Sequence, residues 1–126
     1  ALVGLNLLHD KFRQVPVYKV RELVENNACI IDVREPDEFE KGHLINAVNI
    51  PMSQFRERLS EIPTDVPVYL HCRSSQRSYN VICALQKLGY TNVYNISGSY
   101  LGISFYEYYR DKAEGRKPIV TEYNFA

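Results

Sequence analysis

The sequence has no tryptophan and one methionine, and no charge of either sign in excess: 15 Lys+Arg face 15 Asp+Glu. A neutral chain lacks the basic surplus that a general nucleic-acid or membrane-surface binder needs, although a local basic site stays open. No apolar run approaches the roughly 20 residues of a membrane span. The first dozen residues lack a basic n-region and a clear cleavage site, which argues against a signal peptide. Cysteine is scarce. Cys29, Cys72 and Cys83 stand far apart, with no CxxC pair and no Cys/His cluster at zinc spacing, so neither a disulfide framework nor a metal site is expected. An odd number of separated thiols suits a reducing, cytoplasmic setting. Asn95-Ile96-Ser97 spells a glycosylation sequon, read as incidental without a secretion signal.

What is present fits one globular domain. The chain has 126 residues, 45% of them hydrophobic and 24% charged, enough to bury about two-thirds of its unfolded surface. Leu2, Leu5, Leu8 and Phe12 sit at helical spacing, so residues 1–15 are read as an amphipathic helix and its exit, ended by Pro16. Residues 16–126 form the main domain. Strand and helix signals then alternate: a short strand at Val17-Tyr18, a helix over 20–25, a β-branched run over 29–33 and an acidic helical turn opened by Pro36 and closed by Gly42. A short strand over 47–50, a helix capped by Ser53, and a second apolar strand over 66–71 follow. The last elements are a helix over 78–88 with Val81, Leu85 and Leu88 on one face, a strand over 92–96 and a helix over 101–113. Such alternation implies an α/β fold, a parallel central sheet flanked by helices on both faces.

The chemistry concentrates where the strand ending at His71 meets Cys72-Arg73-Ser74-Ser75-Gln76-Arg77 and a helix start. Ligands bind at carboxyl strand ends in such sheets, and loop amides with a helix N-terminus make an anion cradle. A thiol there is pushed toward thiolate, which makes Cys72 the candidate nucleophile. Arg73 and Arg77 are suited to hold an anionic substrate. Cys29, within an apolar strand, and Cys83, within a helix, read as structural.

Two stretches resemble the rhodanese family. The run from Ile31 to Pro51, with Asp-x-Arg, Glu-Phe, Gly-His and Ala-x-Asn-Ile-Pro elements, resembles its upstream signature, and residues 72–78 look like its active-site loop. The resemblance spans about residues 17–100. It implies a rhodanese fold and sulfur transfer. Cys72 would carry a persulfide taken from a sulfane-sulfur donor (thiosulfate, polysulfide or coenzyme A persulfide) and pass it to a thiol acceptor. Arg73, Ser74, Ser75, Gln76 and Arg77 would bind the donor and stabilise the persulfide. Asp32, Arg34 and His43 would support the site, Arg34 by a salt bridge and His43 by tying its turn. His71 would point away. Phosphatases and arsenate reductases of similar fold place five residues between Cys and Arg, whereas four separate Cys72 from Arg77, so that chemistry ranks below sulfur transfer. A non-catalytic interaction module is the other alternative.

Two departures stand out. The family often has Gly where Ser75 stands, so that position is expected to need an uncommon backbone conformation. Its later Gly-Gly is Gly98-Ser99 here, followed by a tyrosine-rich segment. That segment resembles rhodanese domains fused behind flavin-dependent coenzyme A-disulfide reductases, NADH oxidases and persulfide reductases, and residues 1–8 look like the end of their dimerisation domain. No cofactor is expected in this domain; FAD and NAD(P)H are expected in a fused parent. Tyr106 and Tyr109 are expected to pack the last helix on the sheet, and Lys112, Arg116 and Lys117 to form a solvated face.

Overall fold

In the computed structural model, which describes residues 13–125, five parallel strands run in the order β1-β5-β4-β2-β3. They are β1 (Arg13–Val15), β2 (Cys29–Asp32), β3 (Val48–Asn49), β4 (Val68–His71) and β5 (Val93–Ile96). The central runs Cys-Ile-Ile-Asp and Val-Tyr-Leu-His are nearly all buried, as strands covered on both faces must be. Among the described residues four helices accompany the sheet: α1 (Val20–Glu25), α2 (Pro36–Lys41), α3 (Gln76–Lys87) and α4 (Ser99–Glu114). Side chains alternate across the strands. Leu70 and Cys72 therefore join the core under α3, with Val81, Ile82, Leu85 and Phe55. The opposite core lies under α1 and α4, with Val20, Val24, Tyr100 and Ile103.

The α/β architecture agrees with the sequence reading, and so do β2, β4, β5, α1 and α2. Other elements differ for physical reasons. Residues 13–15, expected with the N-terminal helix, form β1 against β5. Pro16 ends that pairing because it has no N–H, and its carbonyl accepts the Lys19 N–H at 3.0 Å. Val17–Lys19 is thus a 3-10 turn where a strand was expected. The proposed helix over 1–11 lies outside the described residues. Ser53 caps no helix: its hydroxyl turns to the Glu35 carboxylate at 3.2 Å. The chain after it makes successive i→i+3 turns and the 3-10 segment Leu59–Glu61. In α3 the apolar face includes Ile82, and Leu88 is exposed. Asn95 of the sequon is buried in β5.

The largest departure is on α4. Of the two tyrosines expected to pack on the sheet, Tyr109 is exposed and Tyr106 half-buried, with Phe105 exposed beside them, and the buried face carries Tyr100, Ile103, Ser104, Glu107 and Asp111. Two carboxylates can be buried there because arginines meet them. Arg21 reaches Glu107 at 2.7 Å and Asp111 at 2.9 Å. Arg116, expected on a solvated face, reaches the same two residues at 3.4 and 3.2 Å. The tail is fastened alongside. Val120 bridges to Leu44, the Thr121 N–H donates to the His43 carbonyl at 2.8 Å, and the Tyr100 hydroxyl donates to the Glu122 carbonyl. Gly42 is required here, since a Cβ would meet the Glu122 carbonyl oxygen at 2.6 Å.

Removing one partner from a buried ion network strands the others. Glu107→Ala is therefore expected to destabilise the fold by about 3 kcal/mol, as measured by urea denaturation; a loss below about 1 kcal/mol, the range of exposed pairs, would show that the network contributes little.

Candidate active site

Strand order locates the site. From β2 the chain leaves toward β3, and from β4 it leaves toward β5, although β2 and β4 are neighbours. The crevice beyond their carboxyl ends is the topological switch point, where such sheets bind ligands. Residues 33–35 and α2 border it on one side. Cys72, which directly follows His71 at the end of β4, borders it on the other with the loop leading into α3.

The loop's carbonyls are drawn outward. The Cys72 carbonyl accepts the Tyr100 N–H at 2.9 Å and the Arg73 carbonyl accepts that of Leu101 at 3.1 Å. Both donors lie in the first turn of α4, where helical N–H groups lack intrahelical partners. The loop's own amides turn inward: the Ser75 N–H donates to Cys72 Sγ at 3.0 Å. This curl needs a left-handed residue, and Ser75 has φ +84°, as expected from its place in the loop. For a non-glycine residue that conformation costs about 1–2 kcal/mol.

Cys72 itself is 1% exposed. Burial raises its thiol pKa, but hydrogen bonds from the Ser78 amide and hydroxyl and the Ser74 and Ser75 amides outweigh it, so the net shift is downward. Ser78 Oγ lies 3.6 Å from Sγ and donates to Asn95 Oδ1 at 2.6 Å. Ser99, also left-handed at φ +51°, places its hydroxyl beneath the loop. It accepts the Cys72 N–H at 3.2 Å and pairs with the Ser75 hydroxyl at 3.0 Å. The two serines standing where the family often has glycine thus bond to each other.

The supporting residues fall as follows. Arg34 is fully buried and grips Asp32 through Nε and Nη2, with Nη2 2.7 Å from Asp32 Oδ2. The same nitrogen donates to the Gly42 carbonyl at 2.7 Å, and the guanidinium lies over the Tyr100 ring at 4.2 Å. His43 Nδ1 lies 2.8 Å from the Phe39 carbonyl, and its ring stacks on Phe39 at 3.8 Å. His71 points to the other face of the sheet, stacked on Tyr100. Burial lowers its pKa despite the nearby Asp32.

The two arginines differ. Arg77 is held by Glu38 in a two-pronged pair, Nη1 to Oε1 at 2.6 Å and Nη2 to Oε2 at 2.8 Å. Arg73 has no side-chain partner among the described residues. Ser74 and Gln76 are exposed. Glu38, Ser78, Asn95 and Ser99 were not singled out from sequence. Glu38 stood within the Glu-Phe element, and Ser99 within the departure from Gly-Gly, so a signal existed for both. Cys29 and Cys83 are half-buried, and burial raises the Cys29 pKa.

The family model for the rhodanese-like domain matches residues 17–104. An uncharacterized protein of Bacillus subtilis, YqhL, is 52% identical over 73 residues, 58% of each chain. A sulfurtransferase of Allochromatium vinosum is 38% identical over 72 residues, 57% of this chain and 67% of that one. Among solved structures, reduced Bacillus anthracis CoADR-RHD superposes with a TM-score of 0.75 at 30% identity, covering 86% of this chain and 19% of that one.

Ser78→Ala removes a hydroxyl 3.6 Å from the sulfur that can turn its proton from Asn95 to the thiolate, and is expected to raise the pH midpoint of Cys72 alkylation, read by mass spectrometry; an unmoved midpoint would assign the lowered pKa to the amides alone. Ser75→Ala keeps the strained backbone and loses the bond to Ser99, which is expected to cost about 1 kcal/mol. Ser75→Gly releases the strain and is expected to cost less. Equal thermal unfolding shifts for the two variants would contradict this.

Proposed function

The chain belongs to the rhodanese-like domain family, and on that premise we propose that it is a sulfurtransferase in which Cys72 carries the sulfur. The carrying observation is the inward convergence of loop amides on a buried cysteine whose pKa is shifted down. The Cys72 thiolate attacks the outer sulfur of a sulfane-sulfur donor. One S–S bond forms at Cys72, the donor's own bond to that sulfur breaks, and the leaving group departs with the electron pair. The persulfide's terminal sulfur bears the negative charge, which the Ser74, Ser75 and Ser78 amides and the serine hydroxyls are placed to meet. An acceptor thiolate then takes that sulfur and restores the Cys72 thiolate.

Arg73 supplies the available positive charge for an anionic donor. Ser74, Ser75 and Gln76 contribute the loop's amides and rim. Asp32 and Arg34 hold the opposite wall, and His43 braces the turn after α2. A phosphoryl reading finds less support: the loop is one residue shorter than a phosphatase loop, and Arg77 is engaged by Glu38.

The finer reading places the domain in a flavin-dependent reductase acting on coenzyme A disulfide or persulfide. Its support is the likeness to CoADR-RHD, of which this chain covers 19%, together with the resemblance of residues 1–8 to a preceding dimerisation domain. FAD and NAD(P)H would belong to that fused part. No helix among the described residues is long and apolar enough to cross a membrane; a reducing, cytoplasmic setting fits the free thiols.

Incubation with polysulfide or thiosulfate is expected to add the mass of one sulfur atom, removable by cyanide and absent in Cys72→Ser. Turnover in that variant is expected to fall by at least about a thousandfold, as for loss of other enzyme nucleophiles. A wild-type chain that gains no sulfur from either donor would overturn the reading.

A further inference from the structure

The ion pair between Glu38 and Arg77 crosses the crevice. Glu38 rides on α2 after β2, and Arg77 on the first turn of α3 after β4. Glu38 is fixed independently of Arg77, because its Oε1 also accepts the Glu35 N–H at 3.1 Å in a capping box. The hydrogen bond from Arg77 holds its carboxyl down at about 2, with burial opposing, so it is an anion at any working pH. Arg77 in turn feels the charge of Cys72, which puts the pair within electrostatic reach of the sulfur. The loop's two cations therefore do not count equally. Arg77 is neutralised by a carboxylate across the crevice, and of the two only Arg73 has no side-chain partner among the described residues. The wall on the Glu38 side carries Asp37 and Glu40 as well, both exposed.

We propose that Glu38 sets the choice of sulfur donor, neutralising Arg77 so that the site takes a singly charged persulfide, R–S–S⁻, in preference to doubly charged thiosulfate. This rests on the sulfurtransferase reading. With a persulfide, Cys72–S⁻ and R–S–S⁻ give Cys72–S–S⁻ and R–S⁻, and the leaving thiolate carries one charge. With thiosulfate, Cys72–S⁻ and S–SO₃²⁻ give Cys72–S–S⁻ and SO₃²⁻, and a dianion must enter and leave past an acidic wall with one free cation to meet it. Each added negative charge on the donor is repelled by Glu38 and gains little from an arginine already paired. Glu38 is a specificity residue acting through Arg77 and its own charge, with no contact to the sulfur.

The test compares thiosulfate with the persulfide of 2-mercaptoethanol, with cyanide as acceptor and thiocyanate as the readout. Glu38→Gln keeps the length of the side chain and its capping contact while removing the charge. The ratio of kcat/KM for thiosulfate to that for the persulfide is expected to rise about tenfold, and Arg77→Gln added to Glu38→Gln is expected to abolish the gain. A folded Glu38→Gln variant with an unchanged or lower ratio overturns the proposal. Wild-type protein provides a second measurement that does not depend on the variant folding. After division by the rates of the same donors with free cysteine, it is expected to favour the persulfide by at least about tenfold, and equal preference overturns the proposal. Wild-type protein that loads sulfur without these preferences leaves the sulfurtransferase reading standing. Wild-type protein that loads from neither donor removes both.

Discussion

A buried guanidinium organises the carboxyl edge of the sheet. Arg34 is 1% exposed, and a buried charge is tolerated only when its partners are fixed around it. Asp32, two residues earlier on the same strand end, supplies the counter-charge. Burial raises the Asp32 pKa, but His71 and Arg34 together hold it below its ordinary range. The Gly42 carbonyl takes one donor, which sets the exit of α2, and the Tyr100 ring covers the guanidinium, which sets the start of α4. Asn49 closes the other side by donating to the Asp32 and Arg34 carbonyls, both at 2.9 Å. One ion pair therefore positions α2, α4 and β3 relative to the end of β2. The cradle around Cys72 inherits its geometry, because the first turn of α4 is what draws the loop carbonyls outward.

The sequence carried the parallel sheet and the place of the Cys72 loop with little ambiguity, because buried parallel strands read as unbroken β-branched runs and because polar residues crowd after Cys72. The need for a left-handed residue at Ser75 was also legible, as a departure from glycine. Less legible were features that depend on partners distant in the chain. Helical spacing on α4 pointed to aromatics on its buried face; the fold instead buries Glu107 and Asp111, since Arg21 and Arg116 arrive from other segments to neutralise them. The short edge strand β1 has no periodicity to reveal it and exists through its pairing with β5. The pairing of Arg77 with Glu38, 39 residues apart, is likewise invisible to local pattern. Two arginines beside a cysteine read as two anion holders until the opposite wall is in place.

The same contrast separates the serines. Ser78 lies one turn into α3 and turns its hydroxyl toward both Asn95 and the sulfur, a placement that follows from the helix start. Ser99 reaches the sulfur's neighbourhood from another strand–helix junction. Its hydroxyl accepts the Cys72 amide, so the first residue of the loop is satisfied by a side chain where a Gly-Gly sequence would offer none. Two residues in a conformation that favours glycine share a hydrogen bond that glycine could not make, and each offsets part of the other's strain.

The enclosure of Cys72 has a consequence in time. A sulfur whose residue is 1% exposed, with a pKa held down by the hydrogen bonds around it, is activated and sheltered by the same surroundings, so local openings bear on how often a reagent in bulk solvent meets it. The frequency of such openings joins nucleophilicity in setting the rate at which stray oxidants find the sulfur. On the sulfurtransferase reading, a sulfur atom carried there is sheltered by the same loop. The structure thus separates how fast the site can react from how often it is met, two quantities that an exposed cysteine cannot hold apart.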